Sequence, residues 1–287
     1  MMRQSPRVTL AALSLSVVVY GLIQCLGIPA LPAIQQKLHA SPNSASWVLT
    51  AFLISASVAT PTIGRLGDMY GKERALLISL AILAVGTVVC ALAESMTVLI
   101  GGRIIQGVAG GFIAVGFAIV RDEFPPERVA TGLALLASLL GIGSGIGVLL
   151  AGPIVDGLGF RWLFWVPLFL TFGAFVGTLL FVPESPIRTR GRVDWLGATL
   201  LALGLMALLV AVTETSAWGW FSVRTLLVLM LAVLLLYAWV RVELHVTQPL
   251  VDMRMMANRA VWTTNLVALL VGVGMYPAFV LIPEYVH

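Results

Sequence analysis

Two groups of residues have the types and spacing to do chemistry, and both border long apolar runs. The first is Arg103 with Gln106, inside the apolar run 97–120. Three residues apart on a helix, they lie one turn on and on a similar face. An arginine at that depth is costly unless it is paired, hydrated or able to reach an interface. It therefore marks a polar site among helices or, being only about 9 Å along the helix from Thr97, a side chain that snorkels to a surface. The second group is TPTIGRLGDMYGKERAL, residues 60–76, read as a short polar turn that holds Arg65, Asp68, Lys72, Glu73 and Arg74. Gly64, Gly67 and Gly71 allow close approach within it. Asp68 is placed to accept hydrogen bonds from a helix start or from Lys72 and Arg74. The simpler reading is an ordinary charged loop that marks one side of a membrane.

Other chemistries find no support. His39, His245 and His287 lie far apart, without metal-ligand spacing, and no cofactor motif is present. Cys25 and Cys90 fall inside apolar runs and read as small buried hydrophobes rather than a disulfide. Only 10% of the 287 residues are charged, against about 25% in a soluble domain, and 60% are hydrophobic. Mean hydropathy is +1.02. Apolar runs longer than about 18 residues point to a bilayer. The net charge of +4 is spread between those runs instead of gathered on one basic face, so it does not indicate nucleic acid. The partners implied by composition are membrane lipids.

The elements that must carry these residues are about nine transmembrane helices, making an all-α polytopic membrane protein. Helix one is expected over 8–34, bent or ended near Pro29 and Pro32, with Gln24 as its one strongly polar side chain. Gln24 faces a central cavity or hydrogen-bonds to a neighbouring helix. The next spans are expected at 47–63, 75–93, 97–120, 129–150 and 162–182, with Gly152-Pro153 breaking the fifth near its outer end. Three more follow at 195–212, 223–240 and 260–281. The resulting organisation is a six-helix block over 1–182, a linker over 183–194 and a helix pair over 195–240. A second linker over 241–259 leads to the opening helix of a further block over 260–287. Arg3, Arg7, Arg65, Lys72, Arg74, Arg121, Arg128, Arg188, Arg190, Arg192, Arg241, Arg254 and Arg259 then fall on one side, and Lys37, Arg161 and Arg224 on the other. That asymmetry places the N-terminus in the cytoplasm of a cell inner or plasma membrane. No Asp or Glu lies deep within an expected span.

Several local patterns, in order, resemble the major facilitator superfamily, specifically the fourteen-helix drug:proton antiporter branch that includes multidrug efflux transporters. Gly64-Arg65-Leu66-Gly67-Asp68 with Gly71, Lys72 and Arg74 is similar to the loop between helices two and three, which in the family gates transport by gripping the neighbouring half. Arg103, Gln106, Gly107 and Gly111 resemble the helix-four arginine motif associated with proton coupling. Gly152-Pro153 and Gly157, with Gly147 nearby, look like the antiporter motif of helix five. Gly191-Arg192-Val193-Asp194-Trp195-Leu196-Gly197 resembles the start of the extra helix pair of that branch. Ala30-Leu31-Pro32 matches the end of the first-helix motif, while Ile23 stands where the branch carries an acidic residue.

The resemblance implies a secondary active transporter working by alternating access: proton-coupled efflux of small amphipathic compounds or drugs. Its partners would be lipids, a small-molecule substrate and protons, with no cofactor and no enzymatic activity. Arg103, Gln106 and Gln24 would line the proton-coupling region or cavity, and Gly64, Asp68, Gly71, Lys72 and Arg74 would form the gating loop. It also implies five further helices, so the chain is expected to be an N-terminal fragment of a complete transporter. The alternative expectation is a truncated membrane protein or scaffold without independent transport.

Overall fold

The computed structural model describes residues 6–185 and 194–286. The basic linker residues Arg188, Arg190 and Arg192, the first part of the 191–197 pattern, and Arg3 lie outside them. The chain divides into two compact units, 1–191 and 192–287. It is an all-α polytopic membrane protein, and eight of the described helices are long and apolar enough to cross a bilayer.

In the first unit the helices are α1 (Pro6–Leu38), α2 (Pro42–Tyr70), α3 (Lys72–Ala91), α4 (Met96–Val108), α5 (Phe112–Glu123), α6 (Pro126–Leu158) and α7 (Trp162–Phe181). The 3-10 turn Ala109–Gly111 joins α4 to α5. Helices α1 and α6 each run for 33 residues, about 50 Å, so they outreach the roughly 30 Å hydrocarbon layer. The breaks expected at Pro29, Pro32 and Gly152-Pro153 are not helix ends, and α2 runs on past the expected end at 63. Pro29 and Pro32 lie inside α1, Pro61 inside α2 and Pro153 inside α6. A proline removes one backbone bond, but packing against neighbouring helices holds such a helix together within a membrane.

The polar stretch 60–76 is likewise no extended turn. Helix α2 continues through it to Tyr70, α3 begins at Lys72, and the reversal is made at Gly71. Gly71 has φ +123°, a conformation open to glycine at little cost. Its N–H donates to the Gly67 carbonyl and its own carbonyl accepts from Ala75, which closes both helix ends. At the other end of α2, the Ser41 hydroxyl accepts from the Ser44 N–H and Pro42 takes the first turn, an arrangement suited to helix starts. The single span expected over 97–120 is interrupted at Ala109–Gly111. A side chain at Gly110 would press on the Tyr20 hydroxyl, 2.7 Å away, and one at Gly111 on Ile63.

Close helix approach through glycine organises the packing. Helix α1 packs mainly on α6, α2 on α4, and α3 on α4 and α7. Gly147 of α6 lies against the backbone of α1, where an added Cβ would stand 2.7 Å from the Leu22 carbonyl oxygen, and Gly143 lies against Val18 in the same way. Gly86 of α3 meets the Gln106 backbone, and Gly102 of α4 meets Cys90. Both cysteines are free and buried, filling space as small apolar residues. On α3, Leu76, Leu80, Leu83, Thr87 and Cys90 recur at helical spacing and are all buried.

The second unit holds α8 (Trp195–Trp218) and α9 (Val223–Glu243), a short helix α10 (Met253–Met256) and α11 (Arg259–Val286). Helices α8 and α9 pack together, with Gly204 receiving the Leu236 side chain. Asp194 caps α8 by accepting from the Gly197 N–H, and Ser222 caps α9 by accepting from the Thr225 N–H. Much of α9 is apolar and exposed, including Leu226, Leu227, Val233 and Leu234, as a helix facing lipid requires.

The α1–α6 contact yields a direct test. Replacing Gly147 by leucine should force these helices apart and cost about 1–3 kcal/mol, the usual range for overpacking. Gly152→Leu should cost little, because nothing lies within 4 Å of a Cβ added there. Thermal unfolding midpoints of the purified protein in detergent would distinguish the two. Equal midpoints would remove the role assigned to the Gly147 contact.

Candidate functional site

Arg103 does not snorkel. Its side chain lies inside the first unit, where the residue is 1% exposed. Helix α4 carries it to the junction of two apolar clusters, one built around Leu13, Tyr20, Phe52 and Phe112, the other around Leu22, Leu26, Ile34 and Leu99. The guanidinium spends its donors on three elements. Nε donates to the Val48 carbonyl of α2 at 3.1 Å, and Nη1 to the Ile23 carbonyl of α1 at 3.1 Å. Nη1 also donates to Gln106 Oε1 at 2.9 Å, and Nη2 to the Gln24 carbonyl at 3.4 Å. The group lies over the Phe52 ring, with the guanidinium carbon 4.5 Å from the ring centre, a cation–π contact that strengthens when water is excluded.

Gln106 extends the network. Its Nε2 donates to the Thr87 hydroxyl of α3 at 2.8 Å, which donates to the Leu83 carbonyl at 2.6 Å. Arg103 and Gln106 thus meet, as their spacing indicates. Gln24 joins through its backbone carbonyl, and its residue is only partly buried. Ile23, at the position where an acid was expected, packs as a core residue and contributes its carbonyl. Thr87, Val48 and Phe52 were not singled out from sequence. A carbonyl carries no sequence signal, and a hydroxyl or aromatic ring in an apolar helix is commonplace.

A second polar cluster gathers where α2 and α5 end and α3 begins. Lys72, 5% exposed, forms an ion pair and a hydrogen bond with Asp122 Oδ2 of α5. Its Nζ also stands 3.5 Å from Asp68 Oδ1, one turn earlier in α2. Asp68 is the more exposed acid, with 42% of its side chain accessible against 9% for Asp122, so Asp122 holds the stronger contact. The Ser185 hydroxyl donates to the same Asp122 oxygen at 2.6 Å. Arg74 Nε lies 3.7 Å from Glu184 Oε2, with the arginine itself largely exposed. Of the remaining loop residues, Gly71 forms the turn and Gly64 faces Ala114 of α5.

Asp122, Glu184 and Ser185 were therefore missed as partners. The sequence places Asp122 beside Glu123 and Glu127, and which of the three meets Lys72 depends on how α5 is rotated. Thr87 and Lys72 are 15 residues apart on α3, so the arginine network and the charged cluster lie about 22 Å apart along that helix. The residues of the third pattern separate. Gly147 is buried against α1, whereas Gly152, Pro153 and Gly157 are exposed in this chain. Among the described residues, no group of three or more His, Cys, Asp or Glu side chains is placed to hold a metal.

Comparison with known proteins follows the same line. The chain is 29% identical over 249 residues to a multidrug resistance protein B homolog of Mycobacterium tuberculosis, covering 84% of this chain and 45% of that protein. It is 28% identical over 256 residues to the tetracenomycin C resistance and export protein of Streptomyces glaucescens, covering 88% and 48%. The chain thus spans about half the length of these curated relatives. Among solved structures it resembles the POT family transporter PepTSo, with a TM-score of 0.60 at 18% identity over 82% of this chain and 52% of that one. The human organic anion transporter MFSD10 gives a TM-score of 0.58 at 18% identity, over 84% and 74%. At those identities the likeness concerns the fold. The description "Major Facilitator Superfamily" matches residues 13–287: with its buried arginine network and its charged helix-end cluster, the chain belongs to that superfamily.

Proposed function

We propose that this chain is the first part of a secondary active transporter that exports small amphipathic compounds in exchange for protons by alternating access. The superfamily is one of membrane transporters rather than enzymes. Residues 1–182 act as one six-helix half, 195–240 as an inserted helix pair, and 260–287 as the first helix of a second half. The segments 183–194 and 241–259 link them, and the N-terminus lies in the cytoplasm. The observation that carries this reading is the Arg103 network. A structural membrane bundle has little use for a cation that costs about 2.5–3.5 kcal/mol to place at a helix centre. Here that cation ties α1, α2 and α4 together through backbone carbonyls.

Such a network can change state. Carbonyls accept from a guanidinium without holding a full counter-charge, so a substrate or a proton-bearing group can compete for its donors at modest cost. One relative is named as a tetracenomycin C resistance and export protein and another for multidrug resistance, which supports efflux. An apolar cavity discriminates poorly by shape, which favours a broad set of amphipathic substrates. At the far end, Lys72 shared between Asp68 and Asp122 acts as a gate, its charge-assisted contacts made in one conformation and released in the other.

Two measurements on the full-length transporter test this reading. In inverted membrane vesicles, adding substrate under a pH gradient should move protons across the membrane. Arg103→Ala should cut that movement at least about tenfold, as expected for losing several hydrogen bonds to one charge, with expression unchanged. Transport by the variant equal to wild type would end the role given to Arg103. For the gate, Asp68→Asn should lower turnover several-fold while equilibrium substrate affinity stays within about twofold. A collapse in affinity with normal rate at saturation would place Asp68 at the binding site instead, and no change in either would leave it a surface charge.

A further inference from the structure

The segment that leaves α7 ends inside the charged cluster. Helix α7 stops at Phe181, and Val182 is extended, with φ −99° and ψ 115°, the conformation that a following proline imposes. Pro183 thereby turns the chain off the helix axis and delivers Glu184 and Ser185 to the α2–α3 turn. Ser185, 2% exposed, donates to the Asp122 oxygen that also receives Lys72. The Glu184 carboxylate rests on Gly71, and a Cβ added there would stand 2.5 Å from each of its oxygens. The one residue whose backbone reverses the chain between α2 and α3 is therefore covered by a carboxylate from a different segment. The neighbouring hydroxyl completes the acceptor that holds the gate lysine.

We propose that Glu184 and Ser185 are positioning residues of the gate: a two-residue latch that holds the α2–α3 turn against the end of α5 in the arrangement seen here. Three features carry this. Both contacts come from a segment outside the three helices they join, so neither is needed to form those helices. Both fall on residues that the gate itself uses, Asp122 and Gly71. And both residues stand just past the end of α7, so the latch ties the exit of that helix to the gate. When Asp122 moves away from Lys72, the Ser185 bond must break or the segment must follow. The inference rests on reading the Lys72 cluster as a gate.

Thiol labelling tests it without using transport. Val120 is fully buried and lies two residues before Asp122, while the native Cys25 and Cys90 are both buried. The full-length protein carrying Val120→Cys, in nanodiscs, would be reacted with a membrane-impermeant maleimide. Ser185→Ala, which removes the charge-assisted bond to Asp122, and Glu184→Ala, which uncovers Gly71, should each speed labelling at that position by about tenfold. Ser185→Thr, which keeps the hydroxyl, should restore the slow rate. A parallel reporter at Leu163→Cys, buried at the start of α7, should stay slow throughout. Unchanged rates in both latch variants would overturn the proposal. So would a Ser185→Thr rate as fast as Ser185→Ala, or equal acceleration at the Leu163 reporter, which would mean a loosened fold. A protein that labels as expected yet moves no substrate supports the latch and counts only against the transporter reading.

Discussion

The first unit is arranged around the need to bury the charge of Arg103. A guanidinium has five N–H donors and no acceptor, and in a dry interior each donor left unused is costly. The solution here is distributed. Carbonyls of Ile23, Gln24 and Val48, the Gln106 amide and the face of Phe52 each take part of the charge. To reach these groups, α1, α2 and α4 must come together at one level. Gly107 and Gly110 allow that approach, one against Phe52 and Ser55 of α2 and the other against Tyr20 of α1 and Ala56 of α2, while Gly86 and Gly102 bring α3 onto α4. The small-residue packing and the buried cation are thus two sides of one constraint.

The charged cluster obeys a different economy. Lys72 is buried almost as deeply as Arg103, yet its acceptors are carboxylates, Asp122 foremost. Lysine is a compact point charge on a flexible stem, whereas arginine offers a rigid planar fork. The fork suits several fixed carbonyls at once, and the point charge suits one carboxylate that can be exchanged for another. Each basic residue therefore matches its surroundings: the arginine where three helices cross, the lysine where two acids compete at a helix end.

Much of this was visible in the sequence, for identifiable reasons. Long apolar runs define spans because a bilayer admits little else, and the positions of Arg103 and Gln106 stand out because polar residues are scarce in such runs. The helix ends were harder. Proline and glycine break helices in water, so 60–76 looks like a turn and Gly152-Pro153 like a stop. In this bundle α2 and α6 pass through both, leaving Gly71 alone to turn the chain. Partners were the least accessible. The acceptors of Arg103 are largely backbone carbonyls, and Asp122, Glu184 and Ser185 meet Lys72 and Gly71 only once α5 and α7 are docked. Sequence spacing governs neighbours along one helix; it carries no information on the azimuth of the next.

The short 3-10 turn between α4 and α5 has a consequence of its own. It separates the piece of helix that carries Arg103 from the piece that carries Asp122. A 3-10 turn advances about 2.0 Å and 120° per residue, an α-helix about 1.5 Å and 100°. Recasting the three residues Ala109–Gly111 as α-helix would screw α5 through about 60° and draw it in by about 1.5 Å relative to α4. Such a twist would carry Asp122 off the Lys72 side of the bundle while Arg103 stayed in place. Three small residues thus fix the phase between the two polar centres, as a keyed coupling fixes two lengths of one shaft.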